Sequence, residues 1–319
     1  MKTYSMSERH NLVKRKDFGR LPESGFSASA FLDCLPDIHI GKSIKRVVSA
    51  LVAARRAGRP VILGMGAHVI KCGLAPFLIR LLEAGALTGI AFNGAGSIHD
   101  FELAYFGETS EDVAKELAAG RFGFVEETGA WMCAAIKAGA ASGLGLGQAL
   151  YKVIDENPAR YPHRDISLLW HAGRLGIPCT VHVAIGTDFI HLHPAADGAS
   201  IGATSFRDFD IFCSQVEHLA GGVYWNLGSA VILPEVFLKA VSRAHNLGNT
   251  LEGMTTIDMD MIMQYRAVTN VVKRPSIGVG EGFHITGHHE IMLPLVALAF
   301  LEGLSNGKKA ADNGSPKNT

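Results

Sequence analysis

The sequence has no excess of charge of either sign. Its 319 residues include 30 Lys and Arg and 30 Asp and Glu, which gives a formal net charge of zero. A protein that binds nucleic acid or an anionic membrane through its overall charge carries a clear basic excess. We therefore expect neither nucleic acid nor a membrane among its partners.

Long apolar runs, cysteine pairs and repeats are also missing. No apolar stretch approaches the roughly 18 residues of a membrane span, and the opening MKTYSMSERHNLVKRKDF lacks the apolar core of a secretory signal. The five cysteines form no C-x-x-C pair, which argues against zinc and dithiol sites. The 36 glycines show no three-residue period, which excludes a collagen-like repeat. We expect a soluble, cytoplasmic globular protein.

Apolar residues make up 48% of the chain and alternate between two patterns. Short apolar runs that close in or near glycine predict buried strands at 59–66, 88–96, 178–186, 221–229, 248–258 and 280–287. Helical spacing lies around them at 43–57, 67–84, 110–154, 164–175, 206–219, 231–246 and 288–303. This alternation predicts an α/β fold with a doubly wound, mostly parallel, Rossmann-like sheet and helices on both faces.

Composition divides the chain into three parts. Residues 1–42 are largely polar at the start and predict an N-terminal arm, or short helices, lying on a neighbour, and residues 43–303 form the α/β domain. Residues 304–319 have almost no apolar side chain, which predicts a disordered tail.

Two glycine turns follow the first two predicted strands. The first reads Gly64-Met65-Gly66-Ala67-His68, and the second reads Asn93-Gly94-Ala95-Gly96 with Asp100 four residues later. Glycines at a strand-to-helix turn let the backbone approach a phosphate, and a nearby acid can hold a ribose. The pair predicts a nucleotide site, with tight packing and helix capping by Asp100 as the alternative.

The loops after the later strands carry further polar side chains. His191 and His193 could ligate a metal, although the spacing of a specific metal motif is missing and local hydrogen bonds are the alternative. Asp258 and Asp260 end the fifth strand and either serve a site or cap the next helix. Lys273 follows an apolar stretch and could act as a nucleophile, with an ordinary surface charge as the alternative.

Five segments, taken in order over roughly residues 45–300, resemble the deoxyhypusine synthase family. They are GMGAHVIKCG, FNGAGSIHDF, DGASIGATSFRDFDIF, NLGSAVILPEVFLKA and GHHEIMLPLVALAF. The resemblance implies a homotetramer with a doubly wound fold and NAD bound at a subunit interface. It also implies transfer of an aminobutyl group from spermidine to an acceptor amine, through an imine on a lysine.

Carried over residue by residue, the resemblance implies a cofactor site and a catalytic lysine. The cofactor residues would be Gly64, Gly66, Ala67, His68, Gly96, Asp100, Asp197, Gly228, Ser229 and Asp260. Lys273 falls on the imine-forming lysine when one extra residue is allowed. A histidine would supply the general base, which needs a pKa near neutral. The possible residues are His68, His99, His191, His193 and His288, and His288 is our candidate.

The polyamine half departs from the family's pattern. A substrate-binding histidine and asparagine are replaced by Pro234 and Leu238, an aspartate by Ala203, and the acid before the lysine by Arg266. A polycation would therefore meet positive charge where the family offers carboxylates. We predict NAD-dependent aminoalkyl transfer in which the substrate is a small amine and not a protein lysine.

Three alternatives stay open. The first is homospermidine-type transfer to a free diamine. The second is histidine- or metal-based chemistry on another substrate, with side chains that converge on one crevice from His182, His191, His193, His288 and His289. The third is a nucleotide-binding relative without catalysis.

Overall fold

The computed structural model describes residues 15–20 and 25–312, with side chains as far as residue 306. These residues form one sheet of six parallel strands: β1 (Val61–Met65), β2 (Gly89–Asn93), β3 (Cys179–His182), β4 (Val223–Leu227), β5 (Thr255–Asp260) and β6 (Glu281–Thr286). The strand order is β3-β2-β1-β4-β5-β6. All six predicted strands are present, and the predicted Rossmann-like α/β fold is confirmed.

The central strand β1 shows why the apolar runs are continuous. Its alternate side chains face two different layers of helices, Leu63 and Met65 on one side and Ile62 on the other, and all are fully buried. Leu63 pairs in register with Ile90 of β2 and Trp225 of β4. A parallel strand buried on both faces has no polar side, so the run reads as apolar throughout.

Helices cover both faces of the sheet. Within the described residues they are α1 (Ala28–Cys34), α2 (His39–Arg56), α3 (His68–Lys71), α4 (Ala75–Glu83), α5 (Gly94–Phe106), α6 (Val113–Ala118), α7 (Glu126–Ala141), α8 (Leu146–Glu156), α9 (Leu168–Arg174), α10 (Gly198–Val216), α11 (Ile232–Asn246), α12 (Tyr265–Ala267) and α13 (His289–Asp312). A π-helical segment, Val268–Lys273, continues α12. The first face carries α2, α4, α5, α9 and α13, and the second carries α10, α11 and the π-helical segment.

Several helix boundaries differ from the prediction. The helix predicted over 67–84 is broken at Gly73, whose φ of +73° ends α3 before α4 begins. α10 begins at Gly198 and not at 206, because Asp197 caps its first turn. α13 runs on to Asp312, within the segment 304–319 for which disorder was predicted, and residues 313–319 lie outside the described part.

Part of the predicted N-terminal arm packs on the chain itself. α1 lies against α13, where the Glu302 carboxylate accepts hydrogen bonds from the backbone N–H groups of Ala28 at 3.1 Å and Ser29 at 2.9 Å. Leu32 of α1 is buried in the main core. Residues 28–34 therefore belong to the body of the domain, while residues 1–14 and 21–24 lie outside the described part.

The five cysteines are free thiols. Cys34, Cys133, Cys179 and Cys213 are buried and Cys72 is half-buried. Among the helices of the described residues, none combines the length and apolar character that crossing a membrane requires.

A buried carboxylate connects α10 to β3 and to the start of α8. Asp208 Oδ2 accepts hydrogen bonds from the backbone N–H groups of Val181 at 2.7 Å and Gly147 at 2.9 Å. Burial raises the pKa of Asp208 to about 7, against the opposing effect of these hydrogen bonds. The folded state therefore holds a proton here that the unfolded chain has already lost near neutral pH.

We expect Asp208 to make the protein more stable at acidic than at neutral pH. Because the folded-state pKa lies above the unfolded value, the stabilisation is complete below about pH 4 and is lost as the pH rises through 7. In urea titrations, the free energy of unfolding relative to Asp208→Asn should fall by a few kcal/mol between about pH 4 and 8. Asp33→Asn, at an exposed aspartate, is the control. Equal pH dependence of wild type and Asp208→Asn would contradict the assignment.

Candidate functional site

The strand order places a crevice between the carboxyl ends of β1 and β4. The connections from these neighbouring strands leave toward opposite faces of the sheet, and doubly wound folds bind ligands at such a point. The loops after the two strands touch, since the Gly66 N–H donates to the Leu227 carbonyl at 3.0 Å. A Cβ on Gly66 would lie 2.1 Å from the Gly228 carbonyl oxygen. Only glycine allows the two loops to approach this closely.

After Gly66 the chain turns directly into α3. Ala67 occupies the N-cap position, where its side chain makes no capping hydrogen bond. Ala67 is half-buried, and His68 is exposed beside it. Uncapped N–H groups at a helix start suit an anion such as a phosphate. The structure thus brings the predicted residues Gly66, Ala67 and His68 to the crevice.

On the β4 side, Gly228 lies against a buried histidine. Gly228 has a φ of +64°, and a Cβ there would lie 2.7 Å from His289 Nε2. His289 is fully buried, with Nε2 3.6 Å from Asp260 Oδ1, and neither ring nitrogen has a hydrogen-bond partner among the described residues. The His289 ring lies 6.1 Å from that of His68, and the neighbouring His288 is exposed. Asp260, His68 and His288 therefore lie near one crevice, together with His289.

The second glycine turn does not offer a free phosphate site. It starts α5, whose first N–H groups are already bound: Asn93 Oδ1 accepts from Gly96 N–H at 3.0 Å, and Asp188 accepts from Ala95 N–H. Asp188 packs on the turn so closely that a Cβ on Gly94 would lie 1.9 Å from its Oδ2. Burial raises the pKa of Asp188 to about 6. The predicted cofactor role of Gly96 is therefore not supported, because side chains of this chain occupy the helix start.

Asp100 points away from the crevice and into the protein. It is fully buried, and its carboxylate accepts hydrogen bonds from the N–H groups of Leu168 at 2.7 Å and Leu169 at 3.1 Å and from the Ser167 hydroxyl. These donors form the start of α9. Burial raises the pKa of Asp100 to about 6, while the three hydrogen bonds oppose the shift. The expected ribose contact is thus corrected to a buried cap of α9.

Three other predicted cofactor residues make contacts within the protein. Gly64 leaves room for Tyr224, since a Cβ would lie 2.2 Å from the tyrosine hydroxyl. The buried Ser229 Oγ accepts a backbone N–H at the start of α11 at 3.2 Å. Asp197 caps α10 by accepting from Ser200 N–H at 3.0 Å, and hydrogen bonds from Ser200 lower the pKa of Asp197. Packing and capping account for these three residues without a cofactor.

Lys273 lies at the amino ends of the strands, whereas the crevice lies at their carboxyl ends. It is exposed at the end of the π-helical segment. The adjacent Val272 carbonyl packs on Gly282, where a Cβ would lie 2.2 Å from it, and Gly282 stands near the amino end of β6. Because a strand rises roughly 3.3 Å per residue, Gly282 lies far along β6 from the carboxyl end, where the strand reaches the side of the crevice. The structure therefore does not bring Lys273 to the crevice of its own chain.

A cavity of about 330 Å³ opens at the carboxyl ends of β2 and β3. Helices α3 and α5 and the loop after β3 enclose it. Its lining combines apolar side chains, Ile98, Val113, Phe122, Phe189 and Leu192, with the charged groups of Lys71, Glu102, Glu111 and Asp188. Ligand pockets usually join an apolar lining to a few polar groups in this way. The sequence did not single out this cavity, since its lining comes from four separate stretches of the chain, around residues 71, 95–102, 110–122 and 186–192.

Hydrogen bonds hold the polar side of the cavity in one arrangement. His99 Nδ1 lies 2.6 Å from the Thr109 hydroxyl, which donates to Glu102. Burial, together with the charge of Lys71, lowers the pKa of His99 to about 4. The imidazole is therefore neutral at pH 7, and Lys71 supplies positive charge beside it. Burial also raises the pKa of Glu102.

A row of polar side chains crosses β4, β5 and β6 near their carboxyl ends. The register pairs Asn226 with Asp258 and Asp258 with His284, so the three face one layer. Asn226 Nδ2 donates to Asp258 Oδ1 at 2.8 Å, and His284 Nδ1 lies 2.7 Å from Asp258 Oδ2. His284 Nε2 lies 2.9 Å from the hydroxyl of the exposed Thr286. The sequence analysis identified Asp258 but missed His284 and Thr286. The available signal was their H-x-T spacing, which places both on one face of a strand.

The five histidines proposed to converge fall into two groups. His182 ends β3, at one edge of the sheet, and His191 and His193 follow in the loop after it. His289 lies instead against Gly228 and Asp260 at the crevice, with His288 next to it in the chain. His191 and His193 each accept a backbone N–H at Nδ1. Across the described part of the chain, no group of three or more His, Cys, Asp or Glu is placed to hold a metal ion.

No protein-family model matches the sequence, and a search of curated proteins gives no match. Solved structures do resemble the fold. A conserved LOR/SDH protein from Methanococcus maripaludis S2 is 17% identical with a TM-score of 0.50, over 90% of this chain and 72% of that one. AgrE in ternary complex with ornithine and NAD+ is 17% identical with a TM-score of 0.51, over 84% of this chain. This chain spans 33% of the length of AgrE.

A third structure is assigned as a deoxyhypusine synthase from Entamoeba histolytica. It is 11% identical with a TM-score of 0.48, over 88% of this chain and 95% of that one. Identities of this size show the fold alone. The chain thus shares a Rossmann-like fold with the LOR/SDH protein and with part of AgrE.

Proposed function

We propose that the protein binds NAD at the crevice and uses it to oxidise a small amine at the carbon next to the nitrogen. The observation that carries the proposal is the uncapped glycine turn Gly66–His68 at the point where the strand order reverses. AgrE, which contains the same kind of fold, binds ornithine and NAD+. The sequence resemblance to deoxyhypusine synthases likewise implies NAD and an amine substrate. A small amine is therefore the substrate class that both likenesses favour.

The described residues fit a dinucleotide in two neighbouring places. The turn at Gly66 offers uncapped backbone N–H groups to the phosphates. The adjoining cavity offers the rings of Phe122 and Phe189 to the base and the carboxylate of Glu111 to ribose hydroxyls. Lys71 ends α3, which begins at the crevice, and its side chain lines the cavity. When bound, NAD supplies the hydride acceptor, and the protein binds, orients and shields it from water.

The finer hypothesis, aminobutyl transfer through an imine on Lys273, is a proposal about an assembly. Because Lys273 lies at the amino ends of the strands of its own sheet, away from the crevice, it can serve only the crevice of a neighbouring subunit. The homotetramer implied by the resemblance would supply such a neighbour, and light scattering on the purified protein would measure the subunit number. Transfer to a free diamine has the same requirement, whereas simple amine oxidation does not.

Isothermal titration of NAD into the purified protein tests the site. We expect saturable binding by the wild type and about tenfold weaker binding by Lys71→Gln, because a charge-assisted contact to phosphate is lost. The control is Lys152→Gln, which alters an exposed lysine on α8, away from the crevice, and should leave the affinity unchanged. A wild type that does not bind NAD would overturn the proposal. Equal affinities of Lys71→Gln and wild type would remove Lys71 from the site.

A further inference from the structure

We infer that Asp258, His284 and Thr286 form a proton relay, in which the Thr286 hydroxyl takes a proton from the bound substrate. The reaction that the relay serves rests on the proposed function, oxidation of an amine. The relay itself is defined by the hydrogen bonds that join β5 to β6.

The inner end of the relay is fixed by burial. Asp258 and Asn226 are fully buried, and both carboxylate oxygens of Asp258 are engaged, Oδ1 by the Asn226 amide and Oδ2 by the His284 ring. A carboxylate only accepts hydrogen bonds, so the proton of the His284–Asp258 contact belongs to His284 Nδ1. The lone pair of the ring is thereby placed on Nε2.

The outer end of the relay is open. His284 Nε2 accepts the hydrogen bond of the Thr286 hydroxyl at 2.9 Å. The His284 side chain is 18% exposed, and Thr286, the last residue of β6, is exposed. Thr286 pairs in register with Asp260, which lies near His289 and Gly228 at the crevice. Carboxylate, imidazole and hydroxyl in this order are the arrangement by which enzymes activate a hydroxyl group.

Two elements besides β5 pack against β6, namely α2 and the π-helical segment. Arg46 of α2 binds Glu281, at the amino end of β6, and Lys273 is exposed at the end of the π-helical segment. Farther out, Glu235 of α11 binds Arg266 of α12 at 3.2 Å. Asp258 is thus the charged group in contact with the His284 ring, and it is placed to stabilise an imidazolium there.

With the relay, the protons and electrons of the proposed oxidation are all accounted for. The substrate ammonium gives one proton to Thr286 Oγ while the Thr286 hydroxyl proton passes to His284 Nε2, so one proton ends on the imidazole. The electron pair of the adjacent C–H bond leaves as hydride to the oxidised cofactor. The freed nitrogen lone pair forms the C=N bond, and the product is an iminium ion. Without the relay, the ammonium has no lone pair with which to expel the hydride.

Nitrogen NMR of the full-length protein labelled at histidine tests the relay without cofactor or substrate. His284→Gln identifies the signals of His284. We expect the tautomer protonated at Nδ1, with a strongly downfield Nδ1 proton, and loss of this pattern in Asp258→Asn. The tautomer protonated at Nε2 would overturn the relay, whether or not NAD binds.

Kinetics then separate the relay from the binding of cofactor. With NAD and the probes putrescine, spermidine and L-ornithine, Thr286→Val should lower kcat for any amine that is oxidised by about 100- to 1000-fold. Thr286→Ser should restore most of it, and NAD affinity by titration should be unchanged in both. Thr250→Val, at an exposed threonine before β5, is the matched control. Wild-type kcat in Thr286→Val would overturn the relay, whereas failure of NAD binding in the wild type would overturn only the proposed function.

Discussion

Replacing Asp100 by alanine should lower the free energy of unfolding by about 3–5 kcal/mol. The carboxylate is fully buried and accepts hydrogen bonds from Ser167, Leu168 and Leu169, at the first turn of α9. Alanine leaves those three donors without an acceptor inside the core, where water does not replace the lost oxygen atoms. The contact also joins α5 to α9, so its loss loosens two helices on one face of the sheet.

Urea unfolding followed by circular dichroism measures this effect. The control is Asp112→Ala, which removes an exposed cap from the short helix α6 and should cost about 1 kcal/mol or less. The sequence offered a different role, in which Asp100 holds a ribose. That role predicts weaker NAD binding with little change in stability. A stable Asp100→Ala variant with weakened NAD binding would therefore contradict the buried cap and restore the ribose contact.

The sequence predicts this fold well because parallel strands are buried on both faces. β1 reads as an apolar run without alternation, as does β4 apart from Asn226, and each is followed by glycine where the chain turns into a helix. Helix starts were harder to predict. α10 begins at Gly198, and two glycines in its first turns hid the cap that Asp197 provides.

The site was predicted only as a set of loops. The strand pattern correctly placed Gly66 and Gly228 next to each other, since the carboxyl ends of neighbouring parallel strands lie side by side. Which way a side chain points depends on partners far along the chain. Asp100 binds Leu168, 68 residues away, and Asp258 binds His284, 26 residues away. No local pattern in a single sequence contains such pairings.

The two glycine turns show the same limit. Both follow a strand and precede a helix. Asn93 within the second turn and Asp188 in the loop after β3 cover the start of α5, whereas Ala67 leaves the start of α3 uncapped. The distinction between a packed turn and a ligand turn therefore depends partly on a residue outside both motifs.

Replacing Gly66 by alanine should both destabilise the protein and abolish binding of NAD. The new Cβ would lie 2.1 Å from the Gly228 carbonyl oxygen, a backbone atom that cannot rotate away. The loops after β1 and β4 must then separate, which breaks the hydrogen bond from Gly66 N–H to the Leu227 carbonyl. We expect the free energy of unfolding to fall by about 3 kcal/mol.

Gly202→Ala is the matched control for this variant, since Gly202 lies in α10 with open space around its Cα. Alanine there should stabilise the helix by about 0.5–1 kcal/mol and leave NAD binding intact. Urea unfolding and calorimetric titration of both variants, at a temperature where both are folded, give the comparison. Wild-type affinity for NAD in a folded Gly66→Ala protein would place the cofactor away from the loop contact. Loss of affinity in Gly66→Ala alone would tie binding to the close approach of the two loops, which only glycine permits.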